Sequence, residues 1–84
     1  MLIDVVTPAA VGSVSEFRLL EWHVSVGDPI RRDETIVEIS AGEVDIMLPS
    51  PASGTVAELL VAEGDPVTVG QVIARILVAE DGRG

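Results

Sequence analysis

Three carboxylates crowd one short stretch of this chain: Glu38, Glu43 and Asp45. Paired carboxylates can share general-acid and general-base work, but only where a cleft sets their environments apart. His23 is the single histidine and there is no cysteine. Without cysteine or a second histidine no zinc site is expected, and no placed nucleophile with a third group marks a triad around His23. It reads as an ordinary strand-end histidine. The glycines fall one at a time in turns, without the spacing of a phosphate cradle. One absence is chemically sharper: the chain has no lysine, and its five cations are Arg18, Arg31, Arg32, Arg75 and Arg83. The α-amino group of Met1 is its one primary amine.

What must position the carboxylates is the run Thr35 to Ser53, which reads as a β-hairpin with its tip at Gly42-Glu43. Paired about that tip, Val37 faces Leu48, Glu38 faces Met47, Ile39 faces Ile46, Ser40 faces Asp45 and Ala41 faces Val44. Strand side chains alternate, so Val37, Ile39, Ala41, Val44, Ile46 and Leu48 share one side, and Glu38, Ser40, Asp45 and Met47 the other. A slip of one residue scrambles this sorting. Glycine at the first central position permits the positive φ of a II′ turn. Glu43 then stands at the outermost point of a short rigid support. A two-residue tip offers no cleft, so the three carboxylates read as a solvated acidic end rather than as a catalytic pair.

Eighty-four residues make one domain, which buries only about 60–65% of its unfolded surface. The 48% hydrophobic content suffices for one core, and its Val and Ile favour strands. No apolar run approaches the length of a membrane span, and the N-terminus lacks the pattern of a signal peptide. A cytoplasmic location is expected, or the mitochondrial matrix if the source is eukaryotic. The net charge of −9 argues against nucleic acid and anionic membrane as partners, both of which need a basic face. It favours a protein partner.

Along the chain, strands are predicted at Leu2–Val6, Val14–Leu20, Thr35–Ala41, Val44–Leu48, Gly54–Val61 and Val72–Val78. Short pieces fall at Ile30–Asp33 and Val67–Val69. Turns stand at Val26-Gly27-Asp28-Pro29 and Glu63-Gly64-Asp65-Pro66, and no window has a helical period. These two turns belong to an internal repeat with an offset of 37 positions. Glu34-Thr35-Ile36 likewise meets Gln71-Val72-Ile73, and Ile39 meets Ile76. Two copies of one unit that cannot each bury an apolar face must pack face to face. The predicted fold is all-β: a flattened barrel or sandwich of two small antiparallel sheets with a pseudo-two-fold axis. Val5, Val14, Val37, Ile39, Ile46, Leu48, Val56, Leu59, Val72 and Ile76 are expected to supply most of the core. Truncating Ile39 or Ile46 to alanine is expected to cost roughly 2–4 kcal/mol. Residues 1–78 form the domain, and 79–84 read as a frayed tail or the start of a linker.

The run from Glu21 to Pro29 (EWHVSVGDP) resembles the lipoyl domains of the acyltransferase components of 2-oxo acid dehydrogenase complexes. So do Pro49 to Val56 (PSPASGTV), Glu63 to Val67 (EGDPV) and Val69 to Ala74 (VGQVIA). The resemblance covers Leu2 to Leu77, and its blocks are specific for the biotinyl/lipoyl superfamily. The Trp22-His23-Val24 segment favours the lipoyl branch. It implies the two-sheet barrel already derived, and a lipoyl group as the family cofactor on the lysine of a Thr-Asp-Lys tip. Counting back eight residues from Pro51 puts that lysine position at Glu43, and the tip here is Ala41-Gly42-Glu43. A carboxylate supplies no amine for the amide linkage, so no cofactor is expected. The biotinyl pattern of methionines flanking the lysine is also absent. A second departure lies after the first strand. Family members usually carry a Gly-Glu-Gly-like segment there, used in recognition by the decarboxylase component, and this chain has Val11-Gly12-Ser13.

Three function classes fit these residues. The first is a lipoyl-like, non-catalytic module of the dihydrolipoamide acyltransferase type, itself unlipoylated, acting as an interaction or spacer element among the components of a 2-oxo acid dehydrogenase complex. The second is a working swinging-arm acyl carrier. The third is the lipoyl-like hairpin module of an adaptor protein, in which a long helical insertion separates the two halves. Here the halves are contiguous, and with Trp22-His23 this favours the first.

Overall fold

A computed structural model describes residues 1–9 and 16–79. It contains eight strands: β1 (Leu2–Val6), β2 (Glu16–Trp22), β3 (Pro29–Ile30), β4 (Thr35–Ala41), β5 (Val44–Pro49), β6 (Gly54–Leu59), β7 (Pro66–Thr68) and β8 (Val72–Leu77). They form two antiparallel four-stranded sheets, ordered β1-β8-β6-β3 and β5-β4-β2-β7. The predicted class and its symmetry are both present. A shift of 37 positions carries β2 onto β6, β3 onto β7 and β4 onto β8, so each sheet repeats the order of the other.

The symmetry extends to individual hydrogen bonds. The Gly27 N–H donates to the Val56 carbonyl at 2.8 Å, and the Gly64 N–H to the Leu19 carbonyl at 2.7 Å. Val56 donates back to Asp28, and Leu19 to Asp65, both at 2.9 Å. The turn of each half is thereby tied to a strand of the other. The aspartates hold those turns in shape: Asp28 Oδ2 accepts from the Ser25 N–H, and Asp65 Oδ2 from the Ala62 N–H. Such local side-chain-to-backbone bonds are what make aspartate a turn residue.

The core differs from a strict reading of alternation. Val5, Val37, Ile39, Val56 and Ile76 are buried as expected. Ile46, Leu48 and Leu59 are half-buried and pack against the core, and Val72 is half-buried too. For Ile46 and Leu48 the reason is position: β5 is an edge strand, covered less completely than β4. Val14 and the Val11-Gly12-Ser13 loop lie outside the described residues. Phe17, Leu19, Ile30, Ile36, Val67 and Ile73 complete the interior. Two of these arise from irregular pairing. The ladder shifts between Thr35 and Val37, and again at β1 opposite Ile73, so Ile36 and Val37 both point inward, as do Ile73 and Ala74. An extra residue in one strand turns its neighbours to the same face. Buried Thr7 and Ser50 are both satisfied. The Thr7 hydroxyl donates to the Thr68 carbonyl and accepts from the Gln71 N–H; that of Ser50 donates to the Ala52 carbonyl at 2.6 Å.

Gly54 marks a point where the barrel closes tightly. A Cβ there would lie 2.2 Å from the Leu77 carbonyl oxygen, backbone that cannot yield without moving β8. The two ends of the domain meet on the β1–β8 pair. The Met1 ammonium donates to the Val78 carbonyl at 3.1 Å, and the Val78 N–H returns a bond to Met1 at 2.8 Å.

Candidate functional site

The β4–β5 hairpin has the predicted register. Val37 pairs with Leu48, Glu38 with Met47, Ile39 with Ile46, Ser40 with Asp45 and Ala41 with Val44. Gly42 has φ of +70° while Glu43 keeps the ordinary negative sign. That is the sign pattern of a II′ turn, whose twist matches the strands it joins. The Ser40 hydroxyl donates to the Gly42 carbonyl at 3.4 Å, bracing the turn. Glu43 is exposed and takes no side-chain partner among the described residues. Val44 departs from expectation. It shares the inward side with Ala41 but is 57% exposed, because the tip overhangs the core.

The three carboxylates of this stretch do not converge. Asp45 is exposed opposite Ser40, Glu38 is half-buried opposite Met47, and Glu43 projects from the turn. A cleft of about 200 Å³ lies between the β1 and β5 edges, lined by Asp4, Val5, Val6, Pro8, Leu48, Pro49 and Pro51. A second, of about 290 Å³, is lined by Arg32, Ala52, Ser53, Val78 and Ala79. Neither contains Glu38, Glu43, Asp45 or His23. An acid–base pair needs two differently enclosed carboxyl groups, and the tip provides an open acidic end instead.

The structure does bring together one set that the sequence left apart. His23 Nε2 lies 3.8 Å from Glu38 Oε1, and Glu21 joins them with one ligand atom from each residue within 4.8 Å of the others. A bulge at Leu20 does this. The β2–β4 ladder shifts between Leu19 and Glu21, so Phe17 and Leu19 point inward while Glu21 and His23 turn outward beside Glu38. Trp22 between them points toward the core, its indole N–H donating to the Val61 carbonyl at 2.8 Å. The repeat held a signal for this cluster, since an offset of 37 sets Glu21 against Glu58 and Glu38 against Arg75. On the other sheet Arg75 donates to Asp4 at 3.0 Å and to Glu58 at 3.5 Å. Its guanidinium is held above the usual arginine range, chiefly by the Asp4 hydrogen bond and then by the charge of Glu58.

The profile of the biotin/lipoyl family, described as biotin-requiring enzyme, matches residues 3–76. The chain belongs to this family. It is 45% identical over 73 residues to the dihydrolipoyllysine-residue acetyltransferase component of the pyruvate dehydrogenase complex of Corynebacterium glutamicum, a match covering 87% of this chain and 11% of that protein. It is 35% identical over 82 residues to the dihydrolipoyllysine-residue succinyltransferase component of the 2-oxoglutarate dehydrogenase complex of Haemophilus influenzae, covering 98% of this chain and 20% of the relative. The chain thus spans a fifth or less of the length of these two relatives. Among solved structures, the lipoyl domain of the 2-oxoglutarate dehydrogenase complex from Azotobacter vinelandii superposes with a TM-score of 0.77 at 29% identity, over 93% of this chain and 99% of that one. This biotin/lipoyl domain is a small carrier-type module, not itself a catalyst.

Attachment of a lipoyl or biotinyl group by amide linkage requires a primary amine. The tip of this domain presents Gly42 and Glu43, and no lysine occurs anywhere in its 84 residues. The residues present do not fit the family's prosthetic group.

Proposed function

We propose that this chain is a lipoyl-type domain of a dihydrolipoamide acyltransferase component that carries no lipoyl group and acts as an interaction or spacer module. The observation that carries the reading is Glu43 at the exposed hairpin tip of a chain without lysine. The register of β4 and β5 supports it, because the support that holds a residue outward is intact while the residue it holds cannot be acylated. The similarity to acyltransferase components supports other subunits of a 2-oxo acid dehydrogenase complex as its protein partners, in the bacterial cytoplasm. The acidic balance of the chain suits a basic protein surface and disfavours nucleic acid and anionic membrane. No helix among the described residues is long and apolar enough to cross a membrane.

The test is an intact-mass measurement after incubation with lipoate-protein ligase, ATP and lipoate. The expected result is an unchanged mass. A gain of one lipoyl group would overturn the reading.

A further inference from the structure

We propose that Glu21, His23 and Glu38 form a binding site for a divalent transition-metal ion on the outer face of the β5-β4-β2-β7 sheet. Glu21 and Glu38 are direct cross-strand partners, and like charges placed so are destabilising. At the related position of the other sheet, Glu58 faces Arg75, and that arginine also holds Asp4. One half of the domain therefore supplies its own cation. The other half replaces the arginine with a second glutamate and replaces Leu60 with His23. Among the described residues no arginine pairs with Glu21 or Glu38.

The donor set fits a metal of intermediate softness. Imidazole and carboxylate together suit Zn²⁺ and its first-row neighbours, with water completing the coordination. A divalent ion balances the two carboxylates and removes their mutual repulsion. Bonds of about 2.1 Å to N and O place tetrahedral ligand atoms about 3.4 Å apart. The separations here, 3.8 Å for His23–Glu38 and at most 4.8 Å for the whole set, exceed that by an amount that side-chain torsions can close. Glu21 and His23 are exposed and free to turn. Their backbones are fixed: His23 N–H donates to the Ile36 carbonyl at 2.9 Å, and Trp22 is tied to Glu63 and Val61. The site is thus held on paired strands rather than on a loop.

The chain has one histidine and one tryptophan, and they are adjacent, so both report on the site without labelling ambiguity. Zn²⁺ alone is titrated into the 84-residue chain at neutral pH while the His23 imidazole resonances are followed by NMR. The expected result is a saturable shift at one equivalent. A chelator should reverse it. His23→Leu and Glu38→Arg install residues that the other sheet already carries at the related positions, and Trp22 fluorescence reports that each remains folded. Glu38→Arg should abolish the His23 shift. With His23 replaced, binding is read from backbone amides near Glu21 and should be lost. Glu38→Gln keeps the size of the side chain and should weaken binding about tenfold or more, since even outer-shell partners are worth that much. Glu43→Gln removes the same charge away from the cluster and should bind Zn²⁺ as the parent does. The proposal is overturned if excess Zn²⁺ leaves His23 unmoved, if Glu38→Gln binds like the parent, or if Glu43→Gln loses as much affinity as Glu38→Gln.

Discussion

Glu21 and Glu38 face each other across β2 and β4, in the register that on the other sheet sets Glu58 against Arg75. The two halves of the barrel share a backbone plan down to their bulges, yet they differ in sign at this one place. A pair of like charges on a folded sheet is a local cost, and it gives a direct prediction about stability.

Glu38→Arg should stabilise the metal-free domain. Replacing a repulsive cross-strand pair with an attractive one is worth about 0.5–1 kcal/mol, allowing for partial exposure and solvent screening. Urea unfolding followed by Trp22 fluorescence should show a higher midpoint at unchanged slope. The gain should shrink as salt is raised, because the charges lie at the surface. An unchanged or lowered midpoint at low salt would show that the repulsion is already relieved within the chain.

Core truncations should rank by strand position. Ile39 is fully buried on central β4, and Ile39→Ala should cost roughly 2–4 kcal/mol. Its paired neighbour Ile46 is half-buried on edge strand β5, and Ile46→Ala should cost about 1–2 kcal/mol. Equal expectations for the two, drawn from their shared face, are corrected by this difference in cover. The check is denaturant unfolding of both variants under one set of conditions. Equal losses would mean that β5 is as well covered as β4.

The hairpin was legible because its signal is local. Five facing pairs sort by polarity about one Gly-Glu step, and any other register exposes Ile39 or buries Glu38. The repeat was legible for a similar reason, since Gly-Asp-Pro recurs at a fixed offset beside matched apolar positions. The bulges were not. An inserted residue such as Leu20 or Ile36 has no composition of its own to announce it, and alternation continued through it assigns the wrong face to the residues beyond. Strict alternation from Phe17 and Leu19 would send Glu21 inward. The bulge at Leu20 turns it outward, which is why alternation along the sequence does not place it with His23 and Glu38. The exposed position of Glu43 was readable from the turn alone, since a residue at a two-residue tip has nowhere to be buried.

The exposed tip at Glu43 can be tested for its capacity to present a lysine. The hairpin holds residue 43 outward through its register, through the positive φ of Gly42 and through the end of β5 at Pro49. If a modifying enzyme reads chiefly where the lysine stands on such a support, Glu43→Lys alone should make the domain a substrate for lipoate-protein ligase. Intact mass should rise by one lipoyl group. Stability should change by no more than about 0.5 kcal/mol, since Glu43 is exposed and its side chain makes no hydrogen bond or ion pair among the described residues. Reductive acylation by a decarboxylase component should remain slow even so, because the Val11-Gly12-Ser13 segment still departs from the family's loop. A folded variant that takes up no lipoate would place the defect in the turn itself, with Gly42 setting the new lysine out of the ligase's reach. Rapid acylation of the lipoylated variant would show instead that this loop is no obstacle, leaving the residue at position 43 as the whole difference between this domain and a working carrier.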